Sequence, residues 1–283
     1  GVRVLVFGRT GQVAREIARR AGPVEVVALG RGQADLSDPA ACARAVEAAQ
    51  ADAVVNAAAW TAVDRAEAEE GAARVVNGEA PAAIARACAA RGLPFVHLST
   101  DYVFPGTGAT PWRPGDATGP VNAYGRTKLL GEEGVRAAGG RAAVLRTSWV
   151  FSAHGTNFVR TMLRLGRERE EVRVVADQVG GPTPAAAIAD ACLAIARALR
   201  EGAEGGTHHL SGAPDTSWAG FAEAVMAEAG LPVRVVPIAT ADYPTPARRP
   251  LNSRLDCASL ETAFGLARPE WRAGLRAVLR DLG

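Results

Sequence analysis

The chain has 283 residues, 48% of them hydrophobic and 22% charged, with a formal net charge of +2. That is long enough for one large or two small domains, and the near-balanced charge, with arginines scattered among acids, argues against nucleic acid as a partner. No apolar run approaches the roughly 18–20 residues of a membrane span, and Cys42, Cys88, Cys192 and Cys257 lack metal-ligand spacing, so a cytoplasmic protein with buried thiols and no membrane partner is expected.

The first apolar run, Val2–Phe7, is too short for a signal peptide and reads as a buried strand. It opens "VLVFGRTGQVA", a strand, a turn and the start of a helix over Gln12–Ala21. Gly8 and Gly11 permit the tight turn and the close approach of a pyrophosphate to the helix N-terminus, where free N–H groups and the helix dipole favour negative charge. Ala14 stands where a third glycine usually lies. The next strand, Val24–Leu29, ends in "ALGRG" without the acid that meets an adenosine ribose in NAD-binding proteins. Arg31, with Arg9 beside it, suits a 2′-phosphate instead, which favours NADPH over NADH. Asp35 and Leu36 are placed to meet the adenine edge.

A helix over Pro39–Ala49 precedes a strand at Ala53–Val55. The following "VVNAAAWTAVD" supplies Ala57, Ala58 and Ala59, small enough for a flat cofactor to lie on the strand's end. Val63–Arg91 reads as two helices broken near Asn77–Gly78. A fourth strand, Pro94–Leu98, leads to Thr100, whose hydroxyl can face the same edge, while Ser99 points the other way. Phe104–Val121 is a long Gly- and Pro-rich segment of the kind that often serves as an active-site lid.

"NAYGRTK" opens the helix Ala123–Ala138, and Lys128 is the sole lysine among 32 basic residues. The three tyrosines are followed four residues later by Gly106, Lys128 and Ala247. Tyr124 and Lys128 therefore share a helix face. A phenol must donate a proton near neutrality in carbonyl reduction, and an ammonium beside it is expected to lower its pKa. A compact point charge can also hold the nicotinamide ribose where a planar guanidinium would not fit. Thr100, Tyr124 and Lys128 are thus the candidate catalytic set, beside a hydride donor. Asn122 is expected to start this helix, Gly125 to leave room beside the tyrosine, and Arg126 to face elsewhere.

A fifth strand, Ala142–Thr147, completes a βαβ series. Beyond Trp149, helices are expected at Asn157–Arg167, Pro184–Arg200, Ser217–Ala229, Ala258–Phe264 and Glu270–Asp281, with strands at Val172–Val175, Thr207–Leu210 and Val233–Val236. The fold class is α/β: a Rossmann-type doubly wound parallel sheet over 1–150, and a smaller C-terminal α/β substrate-binding domain over 151–283, with 180–212 a candidate to return to the first. His97, His208 and His209 read as structural, and Arg248 or Arg249 as candidates for a diphosphate.

Together the glycine turn, "NAAAWTAVD", "STDYVF", "GPVNAYGRTKLLGE", "RTSWVF", "NFVRTML", "DQVGGPT" and "RRPLNS" resemble the extended short-chain dehydrogenase/reductase family, and within it the reductases of dTDP-linked 4-keto-6-deoxy sugars. The resemblance covers Val2 to about Ser253. It implies hydride transfer from NADPH (or NADH) to C4 of a dTDP-sugar substrate, with Thr100, Tyr124 and Lys128 catalytic. It places Asp101, Tyr102 and Trp149 on the sugar, and Gly11, Gln12, Val13, Asp35, Leu36, Ala58, Ala59 and Thr61 on the cofactor. A homodimer is one assembly it leaves open. Some members bridge a dimer with Mg²⁺, and Glu16 fits one such position, but "PTPAAAIAD" offers alanines where a second carboxylate is needed; no metal is expected. An epimerase or dehydratase of the same fold is an alternative, although Tyr102, not a Glu, follows Asp101. A non-catalytic regulatory subunit is another.

Overall fold

A computed structural model describes all residues, Gly1–Gly283. Its first half runs β1 (Arg3–Phe7), α1 (Gln12–Arg20), β2 (Glu25–Leu29), α2 (Pro39–Ala48), β3 (Ala53–Asn56), α3 (Val63–Ala68), α4 (Glu70–Arg74), a π-helical turn (Val75–Glu79), α5 (Ala80–Arg91), β4 (Phe95–Thr100), α6 (Ala123–Ala138) and β5 (Ala142–Thr147). The second half continues β6 (Val150–Phe151), α7 (Phe158–Glu168), β7 (Glu171–Val175), β8 (Val179–Gly180), β9 (Thr183–Pro184), α8 (Ala185–Arg200), β10 (Gly206–Leu210), β11 (Thr216–Ser217), α9 (Trp218–Ala229), β12 (Arg234–Ile238), β13 (Asn252–Ser253), α10 (Ala258–Phe264) and α11 (Trp271–Leu282).

Six strands form a parallel sheet in the order β10-β5-β4-β3-β1-β2. The order reverses after β3, so β1 and β3 lie side by side and their C-terminal ends form the crevice where such sheets bind ligands. Strands buried on both faces read as apolar runs. One face packs Val4, Val6 and Val55 under α1 and α8. The other packs Leu5, Phe7 and Val54 against α2 and α5. A separate core joins α7, α9 and α11 to the two-stranded sheet β7–β12 through Phe151, Phe221 and Trp271. No helix is long and apolar enough to cross a membrane.

Two local expectations change. The helical run Val63–Arg91 does not break at Asn77–Gly78; it pauses at Glu69 and then swells into the π-helical turn. Such turns re-aim a side chain, and here buried Asn77 bonds the Trp60 N–H (2.8 Å), the Trp60 carbonyl (3.2 Å) and Thr127 Oγ1 (3.1 Å). The segment Phe104–Val121, expected as a lid, is tied down. The Trp112 amide and indole N–H donate to the Arg254 and Asn252 carbonyls, and Asn252 Nδ2 donates to the Thr107 and Thr110 carbonyls. Trp112 also stacks on Phe104.

Candidate active site

The turn between β1 and α1 has the backbone its glycines suggest. Gly8 has φ +113°, and a Cβ there would lie 3.3 Å from the Ala57 backbone at the end of β3. Gly11 caps α1 without a side-chain bond to the first-turn amides, so the amides at the start of Gln12 and Val13 are free for an anion. Arg9 lies against Gly30, so it stands next to Arg31 at the end of β2. Asp35 accepts from the Ser37 amide (2.9 Å), and that bond holds its carboxyl below the usual range. Leu36 is buried in the core below. Ala58 is fixed by a 3.2 Å bond from its amide to Asn56 Oδ1, and Ala59 and Thr61 follow on the same exposed edge. These groups fit a dinucleotide: an open helix N-terminus, a glycine cradle that a side chain would fill, and two guanidiniums at its far end.

The reacting end lies at the tips of β4 and α6. Asn122 caps α6, accepting from the Gly125 amide at 2.8 Å and donating to the Arg248 carbonyl at 2.8 Å. Gly125 is required: a Cβ there would lie 2.2 Å from the Tyr102 carbonyl oxygen. Arg126 turns outward onto Glu70. The Tyr124 ring meets Tyr102 edge-on at 5.8 Å, and the Tyr102 amide donates to Thr100 Oγ1 at 3.1 Å, which sets phenol and threonine at the same edge. Lys128, one turn later and buried, donates to the Leu98 carbonyl at 2.7 Å. Ser99 points the other way, to Glu132 on the same helix (2.5 Å).

One electrostatic expectation is reversed. Burial pushes the Tyr124 phenol up to about 12, with the neighbouring Thr100 hydroxyl opposing the rise. The reason is geometric, since the ammonium is engaged with Leu98 rather than with the phenol. Burial lowers Lys128 itself to about 8, against the charge of Glu132. At neutral pH the phenol is protonated and poised to donate, while the ammonium sits close to its titration point.

Asp101 is buried, one oxygen lacks a partner, and burial raises its carboxyl to about 7, with the Ser253 hydroxyl opposing the rise. Burial likewise raises Tyr102. Trp149 has φ +48°, a left-handed backbone uncommon for a large residue, and its ring stacks on Trp218 at 3.6 Å. Trp218 drew no attention in the sequence, because a tryptophan opening a helix carries no spacing signal. Arg249 does not stand free for a diphosphate: it pairs with Asp64 and donates to Thr245 Oγ1 and the Ala247 carbonyl, each at 3.0 Å. The histidines are structural, with His97 on Asn56, His208 on Ser259 and His209 on the Trp112 carbonyl. Glu16 does not fit a hard divalent cation, which wants several free oxygens. It is held by His154 Nε2 at 3.0 Å and flanked by Arg19 at 3.7 Å.

A parallel sheet with a glycine turn at its crevice, and a Thr–Tyr–Lys set at the tips of the adjoining strand and helix, define a short-chain dehydrogenase/reductase of the extended type. The RmlD substrate binding domain family matches residues 2–283. A dTDP-4-dehydrorhamnose reductase of Burkholderia thailandensis is 50% identical, over 99% of both chains. Among solved structures, a dTDP-4-dehydrorhamnose reductase from Clostridium acetobutylicum superposes with a TM-score of 0.93 at 34% identity, over 99% of both chains. The Bacillus anthracis reductase in complex with NADP gives 0.92 at 30% identity, over 100% of both. The chain belongs to the dTDP-4-dehydrorhamnose reductase family.

Proposed function

We propose that the protein reduces the C4 carbonyl of dTDP-4-dehydro-6-deoxy-L-mannose, giving dTDP-L-rhamnose, the last step of that nucleotide sugar's synthesis. The observation that carries this reading is the placement of Tyr124, at the start of α6, against the turn that follows Thr100 at the tip of β4, with the buried ammonium of Lys128 one helical turn away. NADPH supplies the hydride when bound. The free amides of Gln12 and Val13, beside Gly8 and Gly11, hold the pyrophosphate. Arg31 and Arg9 take the adenosine 2′-phosphate, Asp35 and Leu36 border the adenine, and Ala58, Ala59 and Thr61 border the path toward the nicotinamide. Lys128 holds the nicotinamide ribose. Thr100 orients the carbonyl oxygen, and the Tyr124 hydroxyl gives up its proton as charge develops there. Asp101, Tyr102 and Trp149 contact the sugar. The NADP-bound relative supports NADPH as the cofactor. The four free, buried cysteines accord with a cytoplasmic enzyme, and a homodimer is part of the proposal, to be read by light scattering.

The test is direct. Purified protein is mixed with the dTDP-4-keto sugar and NADPH labelled with deuterium at C4. The expected result is one NADPH oxidised per sugar, with deuterium at C4 of a rhamno-configured product. Absence of NADPH oxidation would reject the reading.

A further inference from the structure

Behind the catalytic pair lies a buried charged cluster that the reaction as described leaves unused. Glu132, one helical turn after Lys128, has a fully buried side chain. Its carboxylate accepts from Arg146 Nη2 at 2.6 Å, Arg146 Nε at 2.9 Å and Ser99 Oγ at 2.5 Å, with Arg136 at 3.1 Å on the rim. Arg146 on β5 is buried too, with its guanidinium 4.9 Å from the Phe104 ring centroid and Nη1 3.2 Å from both the Pro114 carbonyl and His209 Nε2. Taking such a pair out of water is costly, and an apolar pair of similar shape often serves stability as well.

Lys128 gives that charge a use. Its ammonium is buried and has one bonded acceptor, the Leu98 carbonyl. The ionisable groups on its own helix and on the elements packed against it include His97 on β4, Asp101 and Tyr102 in the turn beyond, Arg146 on β5, and Tyr124, Glu132 and Arg136 on the helix itself. Burial and two cations drive His97 to the neutral form. Tyr102 and Tyr124 are protonated phenols, and Asp101 is close to its midpoint. Burial pushes Glu132 up, but the Arg146 and Ser99 bonds outweigh it, so this carboxylate is ionised at neutral pH.

We propose that Glu132 is a positioning residue for the reduction: the buried counter-ion that keeps Lys128 an ammonium, itself fixed by Arg146 and Ser99. Only its consequence for turnover rests on the reductase reading; the charge state of Lys128 can be read without substrate.

The sole lysine makes the experiment clean. Protein grown with [ε-¹³C]lysine gives one lysine resonance, whose pH titration reports this ammonium alone. The wild-type midpoint is expected at about 8. Glu132→Gln should move it down by about one pH unit, a tenfold weaker proton affinity, and shift the alkaline limb of kcat/KM by the same amount. Ser99→Ala loosens the clasp but keeps the charge, so its midpoint should stay near the wild-type value. An unfolded variant declares itself, because its lysine titrates at about 10.4. The double variant Glu132→Gln/Arg146→Gln removes both partners of the buried ion pair, so Arg146 is not left unpaired, and should move the midpoint the same way, by less. A folded charge-removing variant with the wild-type midpoint, or a Ser99→Ala shift as large as that of Glu132→Gln, would overturn the proposal. Normal titration shifts in a protein that does not reduce the sugar would instead reject the reductase reading and leave this one standing.

Discussion

Lys128 does its work by size as much as by charge. Its Nζ is 2.7 Å from the Leu98 carbonyl and its side chain is buried, and a guanidinium is larger, planar and differently forked. Lys128→Arg is therefore expected to lower kcat/KM by about 10²-fold or more, although the charge is kept. Wild-type activity in that variant would show that charge alone matters. The titration near 8 has a signed consequence as well: below it Lys128 is an ammonium, above it the ribose loses its cation. NADPH affinity should fall as pH rises through about 8, which fluorescence titration of the binary complex measures. At this scale the sequence was informative where spacing carried the signal. Tyr124, Lys128 and Thr100 meet because helix and strand periodicity bring them together, whereas the direction of the Tyr124 shift depends on burial and on where Nζ points. Neither can be read from letters. Asn77 and Trp218 were missed for the same reason, since Thr127 and Trp149 lie far from them in the chain, and Glu132 because its burial against Arg146 and Ser99 leaves no mark in the letters.

The elements explain how so small a set is held in register. Helix α6 approaches the turn after β4 and the π-helical turn closely because glycine replaces a side chain at each contact. A Cβ at Gly131 would lie 2.1 Å from the Asn77 carbonyl oxygen, as one at Gly125 would lie 2.2 Å from that of Tyr102. Gly125→Ala should push the helix off the turn after β4, lower stability by about 1–3 kcal/mol, and reduce turnover more than stability alone accounts for, because Tyr124 moves with the helix. Thermal unfolding and kcat measured on the same preparation separate the two effects; an unchanged kcat would refute the contact. Long apolar runs made the parallel strands legible. The two-residue strands β6, β8, β9, β11 and β13 were not, because pairs of residues have no period. The π-helical turn was misread as a break, since Asn–Gly usually ends a helix and here only a distant partner, Thr127, makes it continue.

Across the whole molecule, one sheet edge gathers everything the reaction needs. The glycine turn after β1 and the Arg9–Arg31 pair after β2 lie at one end. The Thr100–Tyr124–Lys128 set lies at the other, with Asp101 next to Thr100 in the turn after β4. The proposed role of Arg31 in cofactor choice gives a prediction: Arg31→Ala should raise the KM for NADPH about tenfold and leave that for NADH nearly unchanged. Equal changes for both cofactors would place the 2′-phosphate elsewhere. The central claim is that Tyr124 is the proton donor of a sugar-nucleotide reductase, and Tyr124→Phe tests it most directly. NADPH oxidation by the dTDP-4-keto sugar and NADPH binding are measured on one sample. A loss of kcat of about 10²–10⁴-fold with the NADPH Kd unchanged is the predicted result; turnover at the wild-type rate would contradict the account.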